Sequence, residues 1–525
     1  MNRKHYVLTL LFAFVFAASY AQPKSWFNLD LEKDSIFGVS TERAYELLKG
    51  RESKTVIVAV IDGGTDDKHE DLKDVLWINT KEIPGNGVDD DKNGYVDDIH
   101  GWNFIGGSDG NVGDDTYEVT RLYSKYSRLY DGANTDTLTK AEMKEYAYYT
   151  NEVKPAFLEK YYEAANNYFR ITAISKSIDD IVAAMDGKEI NAENLKKYQP
   201  KNPDEEFALL NMIRFMGFGM TVEDIKNQFT SIIDHYKENV DVSFNTSFNT
   251  RNIVGDNYND ANDRYYGNND YKGPDAGHGT HVAGIIAATR NNNIGIDGVA
   301  DNVKIMIIRV VPNGDERDKD VANGIRYAVD NGATVINMSF GKAFKYDKEA
   351  VDEAVKYAAS KDVLLVHAAG NDAKNTDVEN NFPTDAYEKG GVAKNWLEIG
   401  ACSWTNDAGL PADFSNYGKK NVDVFAPGVE IESTTPDDKY AAFSGTSMAS
   451  PVTAGVCALI RSYFPTLTAE QVKDIIMKSA APVTVKVTMP GTDKEVKMKD
   501  LCITGGVVNA YKAVELAMKT KGKKK

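Results

Sequence analysis

Three short segments hold the residues best able to do chemistry. Val-Ile-Asp-Gly-Gly-Thr-Asp runs from 60 to 66, Gly-His-Gly-Thr-His-Val-Ala-Gly from 277 to 284, and Phe-Ser-Gly-Thr-Ser-Met-Ala-Ser-Pro from 443 to 451. A serine hydroxyl is a poor nucleophile until a neighbouring imidazole takes its proton. A carboxylate on the other ring nitrogen then fixes the tautomer and stabilises the imidazolium. Asp62, His278 and Ser447 are the candidates for these roles. Small residues around Ser447 leave room for a substrate carbonyl, and the apolar run Val452 to Ile460 predicts a buried helix starting nearby. The N–H groups at such a helix start can face a developing oxyanion.

Taken singly, each residue has an ordinary reading. An Asp after a strand is usually a turn former, and a Ser before a helix is usually an N-cap. Together, and in the order Asp, His, Ser, the three segments resemble the catalytic motifs of the subtilisin-like serine proteases. An α/β-hydrolase would run Ser, acid, His around Gly-x-Ser-x-Gly, whereas Ser447 lies in Gly-Thr-Ser-Met-Ala and comes last. The resemblance implies a parallel-sheet α/β fold in three layers and a serine endopeptidase acting on polypeptides through an acyl-enzyme. Ala-Ala-Gly-Asn at 368–371 is similar to the family's oxyanion-hole segment, which gives that role to Asn371. Met-Ser-Phe-Gly at 338–341 is similar to the strand that pairs with an extended substrate, so Ser339, Phe340 and Gly341 are the implied substrate contacts. The resemblance spans roughly residues 26 to 109 and 251 to 517, including framework-like segments at 424–428 and 506–510. His281 is expected to pack, because the triad needs one imidazole; His69, His100, His235 and His367 receive no catalytic role. The competing reading is a non-catalytic, calcium-dependent binding or scaffold protein on the same fold.

The elements that must position these residues are legible as runs. Lys54 to Gly63 is a continuous β-branched stretch ending in an acid and a turn, the pattern of a central parallel strand covered on both faces. Asp62 therefore falls at a strand's carboxyl end, where open α/β sheets place ligands. Similar runs at Val303 to Val311, Thr334 to Met338, Val363 to Ala368 and Leu397 to Ala401 alternate with helical stretches such as Asp320 to Asp330 and Lys348 to Ser360. Residues 116–240 lack such runs. Phe157, Tyr161, Ala164, Tyr168, Ile171, Ile174, Ile178, Ile181 and Met185 recur there at helical steps, and Thr139 with Glu142 forms a capping-box pattern. The segment reads as a helical insertion between the Asp and His motifs. Its tyrosines supply either core packing or an exposed aromatic face for substrate, self-association or a partner. Rooted between two triad members, it is expected to overhang the cleft and restrict access.

Asp-Asp-Asp-Lys-Asn-Gly-Tyr-Val-Asp-Asp at 89–98 places Asp89, Asp91, Asn93, Gly94, the Tyr95 carbonyl and Asp97 at positions 1, 3, 5, 6, 7 and 9 of an EF-hand-like loop. His100 stands where the usual bidentate Glu would be. So many carboxylates repel one another without a cation, which predicts a structural Ca²⁺.

Composition bounds the rest. The 525 residues are 42% hydrophobic and 26% charged, a globular profile, and exceed the needs of one core. A net charge of −17 argues against nucleic acid. Arg3 and Lys4, the apolar run Tyr6 to Ala18 and the small-x-small site Ser19-Tyr20-Ala21 predict a signal peptide over 1–21 and export to the periplasm or outside the cell. No later stretch approaches the ~20 apolar residues of a membrane span. Cys402, Cys457 and Cys502 cannot all pair within one chain, so packing or metal, not disulfides, must stabilise it. The expected division is 1–21 signal peptide, 22–115 first part of the catalytic domain with the calcium-type loop at 89–100, 116–240 insertion, and 241–525 second part.

Overall fold

The computed structural model describes residues 23–523; the expected signal peptide lies outside the described residues. The β-branched runs form the inner strands of a nine-stranded sheet. In chain order these are β1 (Val56–Asp62), β2 (Gly101–Asn103), β3 (Val303–Arg309), β4 (Val335–Met338), β5 (Leu364–Ala368), β6 (Trp396–Cys402), β7 (Val424–Pro427), β8 (Ala481–Pro482) and β9 (Gly506–Val507). Their spatial order is β8-β9-β7-β6-β5-β4-β1-β3-β2. All neighbouring pairs are parallel except β8 with β9. The parallel α/β architecture expected from the alternating runs is therefore what the chain adopts.

The helices, again in chain order, are α1 (Glu118–Tyr130), α2 (Lys154–Ala184), α3 (Pro203–Gly217), α4 (Val222–Glu238), α5 (Gly277–Ala287), α6 (Asp318–Asp330), α7 (Lys348–Ser360) and α8 (Thr446–Tyr463). Alternation along β1 sorts them into layers, because successive side chains of a strand point to opposite faces. Val56, Val58 and Val60 join Val282, Ile285, Met448, Val452 and Val456 of α5 and α8 in one core. Ala59 and Ile61 join Val321, Ile325, Val351 and Val355 of α6 and α7 in the other. Among the described residues no helix is long and apolar enough to cross a membrane, and the three cysteines are free and buried.

The segment between β2 and α5 holds α1 to α4, and Thr139 and Glu142 make the capping box that their spacing predicts. α2 runs for 31 residues and serves two separate cores. Phe157 and Ala164 pack with Val119, Leu122, Tyr126, Tyr130, Tyr149 and Phe244. Ile174, Ile178 and Ile181 pack with Ala208, Leu209, Met212, Ile225 and Phe229 of α3 and α4. The tyrosines divide between both expectations: Tyr126, Tyr130 and Tyr149 are buried, whereas Tyr162 is exposed.

A buried ionic cluster joins the start of α1 to the α/β body. Lys342 Nζ lies 2.7 Å from Glu118 Oε2 and 2.7 Å from Asp318 Oδ1, and donates to the Glu316 carbonyl. Arg121 pairs with Glu118 at 2.8 Å, and Arg317 grips Asp115 through two bonds of 2.7 and 2.9 Å. Burial alone pushes the Glu118 carboxyl up, but Arg121 and Lys342 outweigh it and hold it at about 2. Because this folded value lies below the ordinary one of 4.5, the stabilisation is complete above pH 4.5 and is lost as pH falls toward 2. Removing one partner strands a buried charge. Lys342→Ala is expected to cost about 3–5 kcal/mol in urea unfolding. A loss below about 1 kcal/mol, the value of an exposed pair, would contradict this reading.

Candidate active site

β1 delivers Asp62 to the carboxyl edge of the sheet, where its side chain is buried. Oδ1 accepts the Gly63 N–H at 2.7 Å and lies 2.8 Å from His278 Nδ1. A carboxylate only accepts, so Nδ1 carries the proton and Nε2 presents a lone pair. His278 stands in the first turn of α5 and is 41% exposed at its side chain. The approach of α5 to the loop after β1 depends on Gly279, since a Cβ there would collide with the Gly64 carbonyl. Desolvation lowers the affinity of His278 for a proton, but Asp62, through its charge and hydrogen bond, and Asp275 outweigh it; the net shift is upward.

Ser447 is the second residue of α8. Its hydroxyl donates to the Ser339 carbonyl at 3.1 Å instead of reaching His278. Ser339 Oγ returns a bond to the Ser447 carbonyl at 2.9 Å and accepts one from Asn337 Nδ2 at 2.9 Å. The turn that carries Ser447 is thus stitched to the end of β4. Beyond it Phe340 is half-buried and Gly341 exposed, and Lys342 pairs antiparallel with Phe382.

Asn371 lies three residues after β5. Its Oδ1 accepts from Thr446 N–H at 2.8 Å and from Thr446 Oγ1 at 2.9 Å. A Cβ on Gly445 would lie 3.4 Å from Asn371 Nδ2 and 3.6 Å from Ser447 N. Two N–H donors therefore border one small space beside the serine, which suits a negatively charged oxygen.

Sequence reasoning overlooked three residues here. Thr446 orients Asn371, and its signal was its place immediately before the serine. Asn381 fills the gap between two glycines: a Cβ on Gly341 would meet its amide at 2.6 Å, and one on Gly370 would come within 3.3 Å. Arg309, buried at the end of β3 opposite Asp62, holds the Gly63 carbonyl at 2.7 Å through Nε. His281 is buried, stacks on Phe443 at 4.2 Å, bonds the Ala441 carbonyl through Nε2 and leaves Nδ1 unpartnered. Burial pulls its pKa down to about 4, so it packs as a neutral ring. His69 and His100 bond the backbone carbonyls of Lys439 and Trp77, and His235 contacts Asn239.

In the acidic loop the convergent carboxylates are Glu82, Asp89 and Asp91, whose oxygens lie within 4.8 Å of one another. Glu82, outside the loop, escaped the spacing argument. Asp97, expected among the ligands, lies outside this trio. Its φ of 54° turns it toward another segment, where its oxygens accept from Gly85, Asn86 and Gly87 N–H. Asn93 spends Oδ1 on Tyr95 N–H and Nδ2 on Asp98, and the Tyr95 ring is buried against Trp102, Phe104 and Tyr327. The three convergent carboxylates supply hard oxygen donors of the kind that suits Ca²⁺.

Comparison with known proteins places this geometry. The thermophilic serine proteinase of Bacillus sp. (strain AK1) is 44% identical over a match covering 37% of this chain and 45% of that protein. Thermitase of Thermoactinomyces vulgaris is 38% identical, over 46% of this chain and 75% of the thermitase. Subtilisin of Bacillus pumilus is 38% identical, over 39% of this chain and 70% of the subtilisin. The chain thus spans less than half the length of the first of these relatives and about three quarters of the second. The profile of the subtilase family, peptidase S8, matches residues 53–501. Family profile and parallel sheet agree, and the chain belongs to the subtilase family of serine peptidases.

Proposed function

We propose that this chain is an exported serine endopeptidase that works through an acyl-enzyme on Ser447. The observation that carries the reading is the pair of donors, Asn371 Nδ2 and Ser447 N, bordering one space next to Gly445, on a helix that shares its core with the helix of the Asp62-oriented His278. An extended polypeptide lies along Ser339, Phe340 and Gly341 by strand addition. Ser447 leaves the Ser339 carbonyl, gives its proton to His278 Nε2 and attacks the scissile carbonyl. The oxyanion forms between the two donors while Asp62 stabilises the imidazolium. His278 then protonates the departing amine, and water, activated by the same imidazole, releases the acyl group. The insertion borders this path, since Glu118 bonds Lys342, the residue after Gly341. That contact supports a role at 116–240 in limiting which chains reach the cleft, and the exposed Tyr162 and Phe169 of α2 are offered to a partner or a second copy. The leader-like residues 1–21 support export to the periplasm or beyond.

A fluorophosphonate probe separates this reading from a non-catalytic scaffold. Labelling confined to Ser447 and lost in Ser447→Ala is expected; folded protein that stays unlabelled overturns the assignment. Asn371→Ala is expected to lower kcat by about 10²- to 10³-fold with KM little changed, and a variant that keeps its kcat removes Asn371 from the oxyanion site.

The pH dependence follows from His278. It acts as a base only when neutral, and its pKa is raised, so the acid limb of kcat/KM is expected above the ordinary imidazole value of about 6.5. Asp62→Asn removes the cause. That variant should lose about 10⁴ in kcat and move the limb to lower pH; an unmoved limb would detach Asp62 from the histidine.

Calcium held by Glu82, Asp89 and Asp91 would neutralise their repulsion and tether the loop after β1. At a concentration one hundred times its Kd it is expected to add about 2.7 kcal/mol of stability, read as a higher Tm. Glu82→Ala with Asp91→Ala should erase the response, whereas Asp97→Ala should keep it. A Tm indifferent to chelator in the unmutated protein rules the ion out.

A further inference from the structure

β5 is apolar at Leu364, Leu365, Val366 and Ala368, yet it places one histidine, His367, wholly inside the sheet. Burying an imidazole is unfavourable unless both nitrogens are satisfied, and here both are. Nδ1 lies 3.0 Å from each oxygen of Glu398, its register partner on β6. Nε2 lies 2.8 Å from the carbonyl oxygen of Phe340. Trp396 Nε1 donates to Glu398 Oε2 at 2.8 Å, fixing the carboxyl from the other side. A peptide carbonyl only accepts, so Nε2 must carry a proton aimed at Phe340. The rings add shape to the contact, with Trp396 5.1 Å and Phe340 6.3 Å from His367.

Phe340 is the middle residue of the segment Ser339–Gly341. Its carbonyl is therefore anchored from beneath, while Ser339 is anchored separately by Asn337 and Ser447. The strand that holds this anchor also leads to Asn371 four residues later. We propose that His367, oriented by Glu398, is a positioning residue for substrate: it locks the Phe340 peptide plane so that the flanking backbone groups are presented to an extended polypeptide in fixed register with the oxyanion site. The inference rests on the reading of Ser339–Gly341 as the substrate-pairing segment. It assigns to a buried histidine and glutamate, neither of which touches the reacting atoms, a part in selecting long peptides over short ones.

The test compares two substrates, a tetrapeptide anilide that can pair with the segment and a single-residue ester that cannot, each normalised to active sites titrated with the fluorophosphonate. His367→Phe keeps a ring in the cavity and removes both hydrogen bonds. It is expected to lower kcat/KM for the tetrapeptide about 10- to 100-fold, mostly through KM, the size of effect that leaving a buried hydrogen-bonding group without its partner gives. The ester should change by about twofold or less. His367→Gln, whose amide can still donate to the Phe340 carbonyl, is expected to recover part of the tetrapeptide rate; it also serves as the test if the Phe variant does not fold. An equal fall on both substrates, or no fall, overturns the positioning role. A parent protein that titrates fully yet shows no preference for the tetrapeptide overturns instead the underlying assignment of Ser339–Gly341.

Discussion

The hydrogen bond from His278 Nδ1 to Asp62 Oδ1 joins residues 216 positions apart. It therefore requires that the loop after β1 and the first turn of α5 meet to within a few tenths of an ångström. Both sides are held from behind. β1 is paired along its length with β3, Arg309 fixes the Gly63 carbonyl, and the face of α5 away from the cleft is sunk in a core shared with α8. Gly279 removes the side chain that would force the two backbones apart. Because α8 also carries Ser447, one helix pair sets the placement of His278 and Ser447 together, and rigidity there is worth more than any single contact.

What could be read in advance was what depends on neighbours in sequence. The continuous buried runs of β1 and β3 to β6 announced themselves through β-branched residues, and α8 through its apolar stretch. β2 at Gly101–Asn103, and β8 and β9 with two residues each, have too little sequence for a period to appear. They exist because a long sheet lends them an edge. The same divide runs through the site. Asp62, His278, Asn371 and Ser447 stand in motifs, while Asn381 and Lys342 owe their positions to partners far along the chain, such as Glu118, 224 residues from Lys342. Residue spacing brought Asp89 and Asp91 into view, but it is blind to the left-handed turn that swings Asp97 toward Gly85–Gly87 and to the fold that brings Glu82 in.

The ionic cluster at Asp115, Glu118, Arg121, Arg317 and Lys342 is an unusual way to attach one substructure to another. A hydrophobic seam of equal area would tolerate sliding, whereas buried charges are satisfied in one arrangement and penalised in others. The cluster sits at the residue that follows Gly341, so the orientation of α1 and the course of the cleft edge are set together.

The two cores served by α2 differ in what they share with the rest of the molecule. The inner one has Phe344 and Tyr346, from the segment just after Lys342, packed against it, whereas the outer one draws on residues between Ile171 and Phe229 alone. Opening of the outer unit, by fraying α2 beyond Ala164, therefore leaves the sheet and the cleft edge untouched, while opening of the inner unit disturbs both. Cooperative units of this kind open at different free energies. For the endopeptidase proposed above, a second copy of the chain is itself a polypeptide substrate, and a nick in the turns joining α2, α3 and α4 would fall in the unit that shares no core with the sheet.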